Sequence, residues 1–442
     1  MPPGARNDRL RAMLRATAWT FGGLARAVNI AGAEVGLRLR YDRTAVAHWL
    51  SGARPQDQVP ALIAEVLTRR LGRRVTLSEI GLYHADGGTD GSGGVDGMVD
   101  LAELTRADLD PAGHAVLAHT VYQLDALVVA ASPGTARRVR LHRDLDRTGS
   151  LSQPTITQHI AEVFAAANHQ FGSGATRTAL TAYLVHDVLP RLGTSETEIA
   201  HRDLLGAATD LALLIGFMCF DSNENGLAQR YYRTALDLAV LSGDPVRYAV
   251  VLRHLSQQAC HLGHGVQALG LALTALTAGS GLATPHTSAF LHAQVALCHA
   301  TLGHHEDAVA HHCSARDSLR DAIGPPPTFG SYHQGELAYH AASILTLDCD
   351  TNGAITALHT ALRHYPATER RSRLLALAAL AERQLDIGLL VHACSTAHRF
   401  LDDYPHVFSG RVTTAMDTLR KRLRPLRGHP SARRFLLRGA SL

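Results

Sequence analysis

Apolar positions recur with helical spacing in four short segments at the start of the chain. NDRLRAMLRATA reads as a first helix and TFGGLARAVN begins a second. YDRTAVAHWLSG is a third, and QVPALIAEVLTRRLG a fourth with Leu62, Ile63, Val66 and Leu67 turned inward. In the third, Ala45, Val46, Trp49 and Leu50 fall at i, i+1, i+4 and i+5, which makes one stripe for burial and assigns Trp49 to a core. Asp42 stands where an N-cap is needed, and Gly52 suits the left-handed residue that ends a helix. The outward face is then Arg43, Thr44, Ala47 and His48, side chains that are small or hydrogen-bonding and cover little apolar surface.

HADGGTDGSGGVDG, residues 84–97, has six glycines in fourteen residues and no apolar period, the composition of a flexible linker. It separates an N-terminal domain, 1–83, from a long region of Ala and Leu at 3.6-residue spacing, 98–424, with a basic tail at 425–442. That region repeats itself. DPVRYAVVLRHLSQQACHLGHGVQA and, 40 residues on, TPHTSAFLHAQVALCHATLGHHEDA share Pro245/Pro285, Ala249/Ala289, Leu262/Leu302, Gly263/Gly303, His264/His304 and Ala268/Ala308. A triplet of small residues recurs at Gly216, Ala228, Ala235; Ser256, Ala268, Ala275; Ala296, Ala308, Ala315; and Ala342, Ala354, Ala361. A last set, Ala381 and Ala393, ends on Phe400, and a weaker unit at Ala167, Ala179 and His186 precedes the others. Two antiparallel helices that cross closely need small residues where their backbones meet, which is the tetratricopeptide pattern. The expected fold is all-α: an N-terminal helix-turn-helix bundle followed by a tetratricopeptide-repeat α-solenoid.

Charge sharpens this division. The net charge is only +4, yet residues 1–85 hold 13 Arg and no Lys against 6 acids, and residues 411–442 hold 9 basic residues against 1 acid. The stretch between carries 21 basic and 32 acidic residues. Basic ends around an acidic middle suggest a polyanion partner. The first residues lack an apolar leader, and LLGAATDLALLIGFMCF at 204–220 is short for a membrane span and carries Asp210, so a cytoplasmic protein with no membrane partner is expected. The six cysteines form no C-x-x-C pair, as expected of core residues in a reducing compartment.

An Arg-rich unit of several helices matches a helix-turn-helix domain whose third helix enters the major groove of double-stranded DNA. Arg43, Thr44, Ala47 and His48 would then face base edges, beside Tyr41, while Arg38, Arg40 and Arg54 hold phosphates. LARAVN, YDRTAVAHWLSGARP and VPALIAEVLTRRLGRRVTLSEIGL together resemble the N-terminal domain of actinobacterial, streptomycete-type helix-turn-helix transcriptional regulators of the phage-repressor type. DSNENGLAQRYYRTALDLAVLSGD and FGSGATRTALTAYLVHDVLPRL are similar to the tetratricopeptide half of the same group. About a dozen residues, IAGAEVGLRLRY, separate the second helix from the third, where the simplest motif has a tight turn.

No catalytic motif is present, and neither an enzyme nor a cofactor is expected. HHEDAVAHHC contains His304, His305, His311, His312 and Cys313, but Ala308 and Val309 occupy the places where a helical zinc motif repeats histidine, so a solvated polar face is preferred to a metal site. Counting from the small residues puts Leu213, Phe217, Phe220, Arg253, Gln257, Phe290, Leu297, Glu336 and Tyr339 on the concave side of the array. That mixture of aromatic and polar groups suits a peptide or small-molecule effector. The expected function is a sequence-specific DNA-binding transcriptional regulator, binding as a homodimer, whose repeats mediate dimerisation or effector sensing. With a flexible hinge between the halves, an effector must act through the dimer, by changing reader spacing across half-sites about 34 Å apart. The alternatives are an interaction scaffold without specific DNA readout and, from the histidines, a metal-dependent enzyme.

Overall fold

The computed structural model describes residues 6–56, 58–82, 97–124, 153–194, 197–324 and 332–442, and every regular element among them is helical. The expected linker falls almost wholly outside the described residues. The N-terminal unit contains α1 (Asp8–Thr17), α2 (Phe21–Glu34), α3 (Arg43–Leu50) and α4 (Val59–Leu71). Side-chain caps start the first three: Asn7 accepts from the Leu10 amide, Thr20 from Gly23, and Asp42 from Thr44 and Ala45. Leu10, Leu24, Val28, Val46, Trp49, Leu50, Leu62 and Ile63 make its core, so Trp49 lies where its stripe assigned it.

The second helix runs further than the sequence suggested, to Glu34, and leaves only residues 35–42 before α3. Gly32 looks like a breaker, but a Cβ there would lie 2.4 Å from Leu39 Cδ1. The glycine remains helical and admits the returning loop against the helix.

Then follow α5 (Gly97–Leu109), α6 (Pro111–Ala118), α7 (Gln153–Phe171) and α8 (Arg177–Tyr183), which continues through a π turn at Leu184–Val188 into α9 (Leu189–Leu192). Five antiparallel pairs form the array: α10 (Glu198–Asp221) with α11 (Asn225–Ser242), α12 (Pro245–His261) with α13 (Gly265–Gly279), α14 (Pro285–Thr301) with α15 (His305–Arg320), α16 (Gln334–Leu347) with α17 (Thr351–His364), and α18 (Arg370–Asp386) with α19 (Leu390–Asp403). The recurring small residues lie at these crossings. Ala228, Ala235, Ala268, Ala275, Ala308, Ala315, Ala354 and Ala361 are each fully buried. The backbones are close enough for Ser256 Oγ on α12 to donate to the Ala268 carbonyl on α13 at 2.7 Å. At Gly216 a Cβ would meet the Tyr232 ring at 2.7 Å. In the last pair Phe400 is accommodated in a core shared with Met416 and Phe435.

The weaker repeat is not one. Ala179 and His186 are exposed and make no helix crossing, and α7 instead packs against α10 and α18. Nor are residues 425–442 a tail: α20 (Gly410–Leu423) is followed by α21 (Pro430–Ala440), whose Ala432 and Phe435 are fully buried. Its arginines lie on the outer face of an amphipathic helix that closes the array. The helix α10 is long and apolar enough by length and composition to cross a membrane, yet 89% of its apolar window is buried within the fold. Its Asp210 pairs with Arg247 at 3.1 Å.

Candidate functional site

On the N-terminal unit, Arg43, Thr44 and His48 are exposed on one side of α3 and Ala47 is half-buried between them. The buried Val46, Trp49 and Leu50 fix the opposite side, so the polar face is held rigidly outward. Arg38, Arg40 and Arg54 are exposed on the flanking segments. None of these four arginines makes an ion pair among the described residues, whereas Arg69 is bound to Glu34 and Glu65 and Arg73 to Glu79. Tyr41 is different: it is half-buried, its ring meets Trp49 edge-on at 5.0 Å, and the Asn29 side chain holds its main chain at both ends, Nδ2 donating to the Tyr41 carbonyl and Oδ1 accepting from the Tyr41 amide. It braces the third helix.

The fourth helix is buried on both sides, because the array covers the face that the N-terminal core leaves open. Glu65, only 5% exposed, accepts from His264 Nε2 at 2.8 Å and from Arg69 Nε at 2.8 Å. Tyr122 stacks on the His264 ring at 5.3 Å, and Gln267 Nε2 donates to the Gly72 carbonyl at 3.0 Å. The two halves are therefore joined by a specific contact. This changes the requirement set by a flexible hinge, since a shift of α13 can reach the N-terminal unit without a second copy.

The first helices of the repeats line a cavity of about 160 Å³. Of the predicted groove residues, Leu213, Phe217, Arg253, Gln257, Phe290, Glu336 and Tyr339 meet there. Phe220 stands behind it, fully packed, with its ring edge-on to His261 at 5.3 Å, and Leu297 does not line it. Arg253 is 3% exposed; it lies 3.8 Å above the Phe290 ring and donates to Gln257 Oε1 at 2.7 Å. Arg371 lies 4.8 Å over Phe217 and is paired with Asp221 at 3.2 Å. Burial pulls the Arg253 guanidinium down to about 10 and raises the Glu336 carboxyl, and it keeps His254 well below the usual histidine range, helped by Arg253.

Sequence reasoning missed His254 and His340, although both sit two residues before a recurring small residue, at Ser256 and Ala342, as does Leu214. The same count would have found them. Asn168 and His169 from α7 and Arg411 from α20 lie outside the repeats, and only the packing brings them in.

The histidine-rich segment does not converge on one point. His305 pairs with Asp348, His311 with His292 at 3.0 Å, and His304 with His299 at 3.3 Å. Two groups of described residues have ligand atoms all within 4.8 Å and could hold a metal: His299, His304 and Asp307, and His333, Glu336 and Glu369. In the second, the hydrogen bond to Glu369 lifts His333 even though burial pulls it down.

Residues 10–83 match the family model of the SP15 N-terminal domain. No curated protein matches the chain.

Proposed function

We propose that this protein is a cytoplasmic transcriptional regulator that binds DNA through α3 of its N-terminal unit, as a homodimer, and is controlled through its tetratricopeptide-like array. The observation that carries the reading is the rigidly mounted α3 face, where Arg43, Thr44 and His48 are exposed and Arg43 makes no ion pair among the described residues, while their own helix is anchored by Val46, Trp49 and Leu50. Side chains of that length and chemistry suit base edges in a major groove, and Arg38, Arg40 and Arg54 beside them suit phosphates.

Control by the array is supported by one further juxtaposition. The helix pair α12 and α13 carries Arg253 and His254 at the cavity and His264 and Gln267 at the contact with α4. A ligand that favours one setting of this pair changes the support of the DNA-reading unit, which is the differential affinity a switch needs.

The test is DNA binding by full-length protein on the segment upstream of its own gene, found by footprinting, and on random DNA. Arg43→Ala should cost about 1–3 kcal/mol on the footprinted site and little on random DNA. Arg54→Ala should weaken both and flatten the salt dependence by about one phosphate. Equal losses on both DNAs for Arg43→Ala would refute sequence reading by α3 and leave an interaction scaffold with incidental basic ends.

A further inference from the structure

The cavity between α7, the first helices of the repeats and α20 contains more positive charge than the fold itself neutralises. Three arginines line it, Arg253, Arg371 and Arg411. Arg371 alone has an acid within ion-pair distance, Asp221 at 3.2 Å. Arg411 lies 5.0 Å over the Phe220 ring and makes no ion pair among the described residues. Among the described residues Arg253 hydrogen-bonds the neutral Gln257, lies over the face of Phe290 and makes no ion pair, the acid within its electrostatic reach being Glu336 of the same lining. A buried guanidinium left in this state is costly unless something else supplies the anion.

The orphaned polar atoms point the same way. Arg253 Nε and Arg371 Nε are buried donors with no hydrogen-bond partner among the described residues, and they belong to residues 3% and 6% exposed. Native folds rarely leave two buried guanidinium donors unsatisfied around one space. The rest of the lining is apolar or aromatic, with Phe217, Phe290, Leu213 and Leu214 prominent. The neighbouring acid, Glu336, is raised by burial, so it opposes an incoming anion less than an ordinary carboxylate would.

We infer that this cavity binds a carboxylate: its anionic head lies between Arg253 and Arg411, and a ring-sized apolar body lies against Phe217 and Phe290. The volume of about 160 Å³ sets the scale, because a cavity of that order holds one benzene-sized group. A planar head group matches the guanidinium fork, and the rings that line the cavity offer apolar contact to the body. The carboxylate can belong to a free organic acid or to the C-terminal residue of a peptide. The inference rests on reading the array as the sensing half of the protein and names what it senses.

The test measures binding to full-length protein by calorimetry, with phenylacetate, its neutral isostere phenylacetamide, and a pentapeptide ending in phenylalanine with a free carboxylate. At least one acid should bind, and phenylacetamide should bind at least about tenfold more weakly than phenylacetate or not at all. Arg253→Met and Arg411→Gln should each weaken the acid about 10- to 100-fold, while Glu336→Gln should strengthen it about threefold. Circular dichroism melts identify any variant that fails to fold, and Arg411, being only half-buried, supplies the milder replacement. Tighter binding of the pentapeptide assigns the carboxylate to a chain end, and tighter binding of phenylacetate assigns it to a free acid; both uphold the anion site. Equal binding of acid and amide, no binding of either acid, or unchanged binding in both arginine variants would overturn it. DNA affinity is measured separately: acid binding that leaves it unchanged upholds the site and refutes control by the array.

Discussion

Replacing His264 by Ala tests whether the contact between the halves stabilises the N-terminal unit. The His264 side chain is 1% exposed and the Glu65 side chain 5%, so their 2.8 Å hydrogen bond is formed away from water. Losing a buried hydrogen bond to a charged acceptor costs about 1.5–3 kcal/mol, and losing the stack with Tyr122 adds about 0.5–1.5 kcal/mol. Glu65 keeps its bond to Arg69, which prevents the larger penalty of a stranded carboxylate. The expected loss is therefore about 2–4.5 kcal/mol, and it should fall on the N-terminal unit rather than on the array. The chain itself supplies the probe, because both of its tryptophans, Trp19 and Trp49, lie in that unit. Urea unfolding followed by tryptophan fluorescence reports the N-terminal unit, and circular dichroism at 222 nm is dominated by the array. In the wild type the two transitions should overlap; in His264→Ala the fluorescence transition should move to lower urea and separate from the other. If both transitions coincide at the wild-type midpoint, the contact contributes nothing to stability and the proposed route from α13 to α4 fails.

Trp49→Ala should lower the stability of the N-terminal unit by about 3–5 kcal/mol, measured by urea unfolding with Trp19 as reporter, because the ring is 4% exposed and packed in the core of that unit; a well-folded variant that selectively loses DNA binding would instead make Trp49 a contact residue. The array should also lose stability in mild acid. Burial first, and then Arg371, draws His169 down to about 4, and burial with Arg253 draws His340 to about 3, against an ordinary value of 6.5. Each binds its proton more readily when unfolded, so the stability is fully present above about pH 6.5 and lost as pH falls toward 4. The melting temperature should decline between pH 7 and pH 5, and His169→Phe should flatten that decline; identical profiles for the two proteins would refute this cause.

Local rules, read from the chain alone, determined which segments are helical and how they pair. The offsets between Gly216, Ala228 and Ala235, repeated through Ala342, Ala354 and Ala361, are a direct consequence of two helices crossing too closely for larger side chains. The same count placed Arg253, Gln257, Phe290, Glu336 and Tyr339 on one surface, because groove positions stand at fixed offsets from those crossings. Asp42 and the Val46, Trp49, Leu50 stripe likewise fixed which side of α3 faces outward. Tertiary packing decided everything that joins segments without a shared period. Gly32 remains helical because Leu39 returns against it, and no local rule announces that partner. Residues 425–442 become a closing helix only because Phe435 finds the core around Met416. Arg411 and His169 enter the cavity from helices outside the repeat, and Glu65 is a surface carboxylate by every local measure until His264, 199 residues away, arrives to bind it. Periodicity encodes which face of a helix is buried; it does not encode which distant surface buries it.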